Sequence, residues 1–213
     1  MSLPVVISAL DLGALLCSRI CHDIISPVGA INNGLELLEE GGADEDAMEL
    51  IKASARNASA RLQFARIAFG AAGSASVQID TGDAHSVTRE YFKNEKAELS
   101  WEGARVLLPK NKVKLLLNLI LVANSAIPRG GNLDVVLENG DVNPAFKITV
   151  KGRMLRVAPK FQELYSGIVP EDPIDAHAVQ PYYTLLLAQE TNMEISVDVR
   201  EEEIVFLAAE KSA

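Results

Sequence analysis

The stretch SRICHDIISPVGAI, residues 18–31, combines chemistry and helical patterning in one place. It puts a histidine directly before an aspartate, and a proline five residues after that histidine. Apolar residues continue its pattern on both sides at intervals of three or four. They are Cys17, Ile20, Ile24, Val28, Ile31, Leu35 and Leu38. This spacing predicts an amphipathic helix over residues 8–40, with His22 opposite the apolar stripe.

A second helix is predicted over residues 44–70. Gly41 and Gly42 favour an end to the first helix, and the acids at 44–46 suit the start of the next. Its apolar positions follow a heptad: Met48, Ile51, Ala55, Ala58, Leu62, Ala65 and Phe69. We therefore expect an antiparallel helical hairpin over residues 1–72. Two helices alone bury little surface, so we expect two chains to form a dimeric four-helix bundle; the alternative is that the hairpin packs on its own chain.

The pattern changes after GAAGSAS (70–76), a small-residue stretch typical of a linker. Three further helices are predicted over residues 82–97, 110–127 and 174–190. The predicted strands are SVQID, ELSWE, NLDVVLE, AFKITVK, MEISVDVR and EIVFLAA. Their order, β-α-β-α-β-β-α-β-β, predicts an α/β sandwich over residues 73–213, with helices on one face of a mixed sheet. The fold class expected for the whole chain is α+β.

Composition excludes several kinds of partner. The net charge is −9 and Lys and Arg form no cluster, which argues against binding to nucleic acid or to an anionic membrane surface. The N-terminus has no basic segment, and the longest apolar stretch is too short to span a bilayer, so we expect a soluble, cytoplasmic protein. Cys17 and Cys21 are interpreted as small buried apolar residues, with a metal or redox site as the alternative.

The surroundings of His22 on the helix predict a functional face. On a helical wheel, Ser18, Ser26, Gly29 and Asn33 lie within about 40° of His22, and Arg19 within about 60°. These neighbours are small or uncharged apart from Arg19, which predicts a flat surface where another protein can approach the imidazole. An imidazole is a good nucleophile toward phosphorus, and a carboxylate can orient it, for which Asp23 is the nearest candidate. The alternative is an idle surface histidine.

SRICHDIISPVGAI resembles the phosphoacceptor box of two-component histidine kinases, in which an acid follows the histidine and a proline comes four residues later. The predicted hairpin is similar to their dimerisation and histidine phosphotransfer domain, and the second half resembles their ATP-binding domain. The resemblance implies that His22 accepts a phosphoryl group, that Asp23 orients it, and that Arg19 contacts phosphate or an acidic partner.

The ATP-site motifs of those kinases are altered here. NLILVA (118–123) keeps Asn118 but has Val122 where the kinase motif Asn-Leu-x-x-Asn-Ala binds Mg²⁺. In ITVKGRMLRV, Gly152 stands at the position of the adenine-binding aspartate, and Met154 and Arg156 stand at the glycines of that motif. HAVQPYY replaces the second glycine box. No Gly-rich backbone remains to cradle phosphates, so neither nucleotide nor metal binding is expected.

This combination resembles the ChpT-type histidine phosphotransferases of bacterial phosphorelays. The resemblance implies a dimeric phosphotransferase that exchanges a phosphoryl group between His22 and receiver-domain aspartates. It has no cofactor of its own, because the receiver carries the Mg²⁺. The implied partners are the receiver of a CckA-like hybrid kinase and CtrA-like and CpdR-like response regulators, in cell-cycle regulation. Two alternatives stay open: a histidine kinase with a drifted ATP site, and a non-catalytic scaffold or kinase inhibitor.

Overall fold

The computed structural model describes residues 3–41, 44–70 and 78–211. Helix α1 (Ala9–Glu39) is capped at its N-terminus by Ser8, whose hydroxyl accepts a hydrogen bond from the Asp11 N–H, and Gly41 follows its end with φ +73°. Helix α2 (Asp44–Ala68) returns antiparallel along it. The two helices approach closely at Gly34, where an added Cβ would lie 2.6 Å from Ile51 Cγ1. The predicted hairpin is therefore present, with both helices within two residues of their expected bounds.

The C-terminal half is built on a five-stranded mixed sheet in the order β2-β4-β5-β7-β6. Only β2 and β4 are parallel, and the other neighbours are antiparallel. A separate two-stranded antiparallel sheet joins β1 to β3. The strands are β1 Gln78–Asp80, β2 Ala97–Glu102, β3 Leu107–Pro109, β4 Gly131–Glu138, β5 Ala145–Lys151, β6 Met193–Val199 and β7 Ile204–Glu210. The helices are α3 Thr81–Phe92, α4 Lys110–Ser125, α5 Pro159–Tyr165 and α6 Val179–Glu190.

One continuous apolar core joins the two halves. Helix α4 is buried along most of its length and packs on β4, β5 and β7, with α6 beside it. Phe64, Ile67 and Ala68 from the end of α2 belong to the same core cluster. The C-terminal end of α2 therefore packs in the core of the C-terminal half, whereas its N-terminal end packs against α1.

The predicted fold class, an α+β chain with a helical hairpin and an α/β sandwich, is confirmed. Three details differ. Helix α3 ends at Phe92 rather than residue 97, since the polar run from Lys93 to Lys96 forms turns with the last helical carbonyls. Helix α6 begins at Val179 rather than 174, because the Asp175 side chain closes a turn just before it. The short elements β3 and α5 were not predicted, and the linker at 71–76 lies outside the described residues.

The two cysteines were expected to be buried, and this was wrong. Cys17 and Cys21 are free thiols exposed on α1. The α1 stripe is itself only half covered, because α2 packs against one side of it while Val28 and Leu35 remain exposed. By length and composition, α1 could cross a membrane, but this is weak evidence, since core helices of soluble proteins pass the same test.

Candidate phosphotransfer site

His22 lies near the middle of α1 with 64% of its side chain exposed. Ser18, Ser26 and Asn33 are also exposed, and nothing lies within 4 Å of a Cβ placed on Gly29. The residues that the sequence grouped around the histidine therefore form one open surface with it. A bulky partner can reach the imidazole from that side.

Asp23 faces the histidine from one side. Its Oδ1 lies 3.5 Å from His22 Nδ1, which is electrostatic contact rather than a tight hydrogen bond. Its Oδ2 accepts a hydrogen bond of 2.9 Å from Arg19 Nε. One oxygen of the Asp23 carboxylate thus contacts Arg19 and the other contacts His22, whose Nδ1 faces the carboxylate. Nε2 is then the nitrogen that can attack an electrophile.

Arg19 was predicted to meet a phosphate or an acidic partner, but in the structure it pairs with Asp23 on its own helix. Both side chains are about three-quarters buried, which limits screening of the pair by solvent. This pairing fixes the position of the carboxylate one helical turn along α1. A docking role for Arg19 stays a prediction.

A partly buried polar cluster lies behind Asp23 and was missed by the sequence analysis. The Arg61 guanidinium donates to Glu95 Oε1 at 2.8 Å and to the Tyr91 hydroxyl at 3.2 Å. The pKa of Tyr91 is raised to about 12, mainly by burial and also by the Glu95 charge, while the Arg61 charge opposes the rise. Asp23 and Arg61 line the same small cavity. No local pattern could reveal this cluster, since Arg61 lies on α2 while Tyr91 and Glu95 lie at the end of α3 and just after it.

A second histidine reaches the site from the C-terminal half. The rings of His22 and His177 are edge to face, with centroids 5.2 Å apart. His177 belongs to HAVQPYY, the segment that replaces a kinase glycine box, and the sequence analysis gave it no role. Only the packing of α6 against α1 brings the two imidazoles together.

The two positions discussed for the Mg²⁺ motif, Asn118 and Val122, are buried inside the protein. Asn118 is fully buried, and its amide donates to the carbonyl oxygens of Ala68 and Lys114 at 3.0 and 2.9 Å. Gln180 Nε2 donates to the Asn118 carbonyl oxygen at 2.8 Å. Val122 lies in the apolar core. Asn118 therefore connects α4 to the end of α2 and to α6.

Comparison with known proteins identifies the family. The sequence model of the family described as "Histidine phosphotransferase C-terminal domain" matches residues 81–203, more than half of the chain. "Protein phosphotransferase ChpT" of Brucella abortus (strain 2308) is 78% identical over 208 residues, which are 98% of this chain and 100% of that protein. The chain belongs to the ChpT-type histidine phosphotransferase family. It is accordingly a phosphotransferase of two-component signalling.

One solved structure agrees with membership of the ChpT-type family. A structure described as a bacterial phosphotransferase is 77% identical, covers 97% of this chain and 100% of its own, and superposes with a TM-score of 0.93. The histidine kinase AdeS of Acinetobacter baumannii aligns over 89% of this chain and 97% of its own, at 12% identity and a TM-score of 0.48. An identity and a TM-score this low support no conclusion about function.

The alternative of a metal site at the cysteines finds no support in this ChpT-type chain. Within residues 3–41, 44–70 and 78–211, no group of three or more His, Cys, Asp or Glu side chains is placed to hold a metal ion. Cys17 and Cys21 both precede the histidine on α1, and no further ligands gather with them among these residues.

Proposed function

We propose that this phosphotransferase carries a phosphoryl group between receiver-domain aspartates as a phosphohistidine on His22. The observation that carries the proposal is the exposed imidazole whose Nδ1 faces the Asp23 carboxylate at 3.5 Å. This arrangement leaves Nε2 as the attacking nitrogen, and the carboxylate favours the tautomer that carries its proton on Nδ1.

In the proposed step, Nε2 attacks the phosphorus of a receiver aspartyl phosphate. The N–P bond forms as the P–O bond to the receiver carboxylate breaks, and the ring keeps its Nδ1 proton. The ring becomes cationic, and the adjacent Asp23 carboxylate stabilises that charge. Positioning and charge neutralisation dominate such transfers, and the Mg²⁺ that assists them comes with the receiver.

The proposed docking surface consists of Ser18, Ser26, Gly29 and Asn33 around His22, with Arg19 at its edge. Their exposure and small size support it, because reacting atoms must come within about 3–3.5 Å of each other in line. By analogy with the family, the partners proposed are the receiver of a CckA-like hybrid kinase and CtrA-like and CpdR-like regulators, in the cytoplasm.

We also propose that two chains pair through their hairpins. An open apolar groove runs along α1 and is lined by Ile20, Ile24, Ile25, Val28 and Leu62. Within the described part of the single chain, 70% of Ile25 and 50% of Leu62 are exposed, so these large apolar side chains have no covering partner there. A second hairpin of the same sequence presents the complementary apolar face, and a four-helix bundle would cover both.

The test of function is phosphoryl transfer from a receiver domain of a hybrid kinase, labelled with radioactive phosphate and supplied with Mg²⁺. We expect stoichiometric, acid-labile labelling of wild-type protein and none of His22→Ala. Labelling of His22→Ala at the wild-type level would refute the assignment of His22.

Two alternatives give different results in the same assay. A kinase with a drifted ATP site would label itself from ATP and Mg²⁺ without any receiver. A scaffold would accept no label from the receiver and would keep its partner binding after His22→Ala. Because Asn118 and Val122 are both buried in internal contacts, we expect no self-labelling from ATP.

A further inference from the structure

His177 lies at the proposed phosphotransfer site although it comes from the other half of the chain. Its ring meets that of His22 edge to face, at 5.2 Å between centroids and 79° between planes. His177 belongs to the C-terminal half of the chain. The other neighbours of His22 described above, Asp23 and Arg19, lie on α1 itself. The contact therefore connects the nucleophile to the domain that no longer carries the kinase nucleotide motifs.

The backbone that carries His177 is held firmly. Asp175 Oδ1 accepts hydrogen bonds from the N–H groups of His177 and Ala178, at 2.9 and 2.8 Å. The bond from Ala178 is the main reason why the pKa of the Asp175 carboxyl is lowered. Because Asp175 already accepts from both of these N–H groups, they are not available to a ligand. The His177 imidazole is the group of this turn that can contact one.

Buried contacts anchor the turn immediately after His177. Ala178 and Val179 are buried, and Gln180 donates to the Asn118 carbonyl oxygen within the core. One turn further along α6, the Tyr182 hydroxyl accepts a hydrogen bond of 3.2 Å from the Ile7 N–H, just before α1. Helix α6 is thus tied both to the core and to the start of the helix that carries His22.

The chemistry of an imidazole suits a phosphoryl neighbour. A phosphoryl group brings close to two negative charges, and Arg19 is already paired with Asp23. An imidazole carries at least one N–H donor in either protonation state, so His177 can donate to a phosphoryl oxygen on His22. No bond to phosphorus is made or broken by this contact, and the proton remains on His177.

We propose that His177 is a second functional residue of the phosphotransfer site, donating a hydrogen bond to the phosphoryl group as it passes to and from His22. This inference rests on the proposed function of His22 and assigns the C-terminal half a direct part in it. The half that has lost the nucleotide motifs would then be kept, in part, to hold this imidazole in place.

The test compares His177→Ala and His177→Gln with wild type, with His85→Ala as the matched control. His85 stacks on Trp101, with ring centroids 4.9 Å apart, and does not approach His22. Two donors are used: the phosphorylated receiver domain with Mg²⁺, and acetyl phosphate, which needs no docking. His177 is exposed, so its variants should fold, which thermal unfolding would verify.

We expect His177→Ala to slow labelling of His22 from both donors by about 10- to 100-fold, the worth of one charge-assisted hydrogen bond. His177→Gln, which keeps an N–H donor, should recover most of the rate, and His85→Ala should match wild type. In ¹⁵N-imidazole NMR, phosphorylation of His22 should shift the His177 signals.

Three results would overturn the inference. The first is wild-type labelling of His177→Ala from both donors. The second is slow labelling from the receiver alone, which would place His177 in protein docking rather than at phosphorus. The third is an unshifted His177 signal, which would mean that the rings only pack together. Failure of wild-type protein to accept label from the receiver would instead refute the proposed function itself.

Discussion

Asp23 follows His22 directly on α1, and Arg19, one turn earlier on the same helix, orients the Asp23 carboxylate. The carboxylate divides its oxygens between the guanidinium at 2.9 Å and the imidazole at 3.5 Å. The guanidinium of Arg19 is planar and rigid. It therefore holds the Asp23 carboxylate in one position more firmly than water molecules would. At the residue scale, the site is therefore a positioned pair rather than an isolated surface histidine.

Asp23→Asn tests that pair. The substitution keeps the size of the side chain but removes the charge that we propose stabilises a phosphorylated ring, and it frees Arg19 to repel that ring. We expect the rate of transfer from a receiver to fall by about 10²–10⁴-fold. Rapid-quench transfer in a single turnover measures it. A rate within about twofold of wild type would show that another group orients His22.

Ser26→Arg tests the docking surface. Ser26 is exposed beside His22 and does not line the apolar groove, whereas Gly29 borders that groove. A long cation at position 26 should obstruct the receiver, reducing transfer by at least about tenfold, because a small misplacement of the reacting atoms is costly. Labelling by acetyl phosphate should stay close to wild type. Equal loss with both donors would contradict a docking role.

The helices α1 and α2 present more apolar surface than one chain can cover. Ile20 and Ile24 are half-buried, while Ile25, Val28 and Leu62 remain open beside them. An amphipathic hairpin with an uncovered stripe is typical of one half of a bundle. At the scale of the element, the proposed pairing explains both the heptad spacing of α2 and the exposure of Cys21, which lines the same groove.

Leu62→Glu tests the pairing. Because Leu62 is already 50% exposed in the single chain, its replacement should not unfold the hairpin. Burying the new charge in a bundle would cost several kcal/mol, so the variant should be monomeric at micromolar concentration. Light scattering measures this, with Val142→Glu, at a position 71% exposed in the C-terminal half, as a control that stays dimeric. Monomeric wild-type protein would refute the pairing.

Across the whole molecule, the hairpin and the sandwich are joined by polar as well as apolar contacts. Arg61 on α2 bonds Tyr91 on α3 and Glu95 just after it, and Phe64 packs on the Tyr91 ring at 4.7 Å between centroids. Asn118 adds a buried bond to the end of α2. These contacts join α2, which packs on α1, to α3 and α4 of the C-terminal half, and α4 in turn packs on α6.

Tyr91 gives this junction a dependence on pH. Its pKa is raised from 10.0 to about 12, so the unfolded chain loses the phenolic proton first. The contribution of Tyr91 to stability should be complete below pH 10 and should disappear as pH rises through about 12, by about 2–3 kcal/mol in all. Urea unfolding of wild type and Tyr91→Phe across this range measures it. Parallel slopes would contradict the burial of this phenol at the junction.

Local patterns were sufficient to predict most of the elements and to single out His22 as the candidate nucleophile. The three-and-four spacing predicted α1 and α2, the alternating segments predicted β4 and β5, and the His22–Asp23 pair was visible as adjacent letters. Such features are encoded within a few turns of chain, where backbone geometry alone fixes which side chains are neighbours.

Tertiary structure decided the features that depend on distant segments. Cys17 and Cys21 lie on a face that α2 does not cover, Asn118 serves the domain junction, and His177 meets His22. Each outcome depends on how α1, α4 and α6 pack together around the common core. Periodicity identifies the apolar face of a helix but not the element that covers it, so the sequence alone could not place these residues.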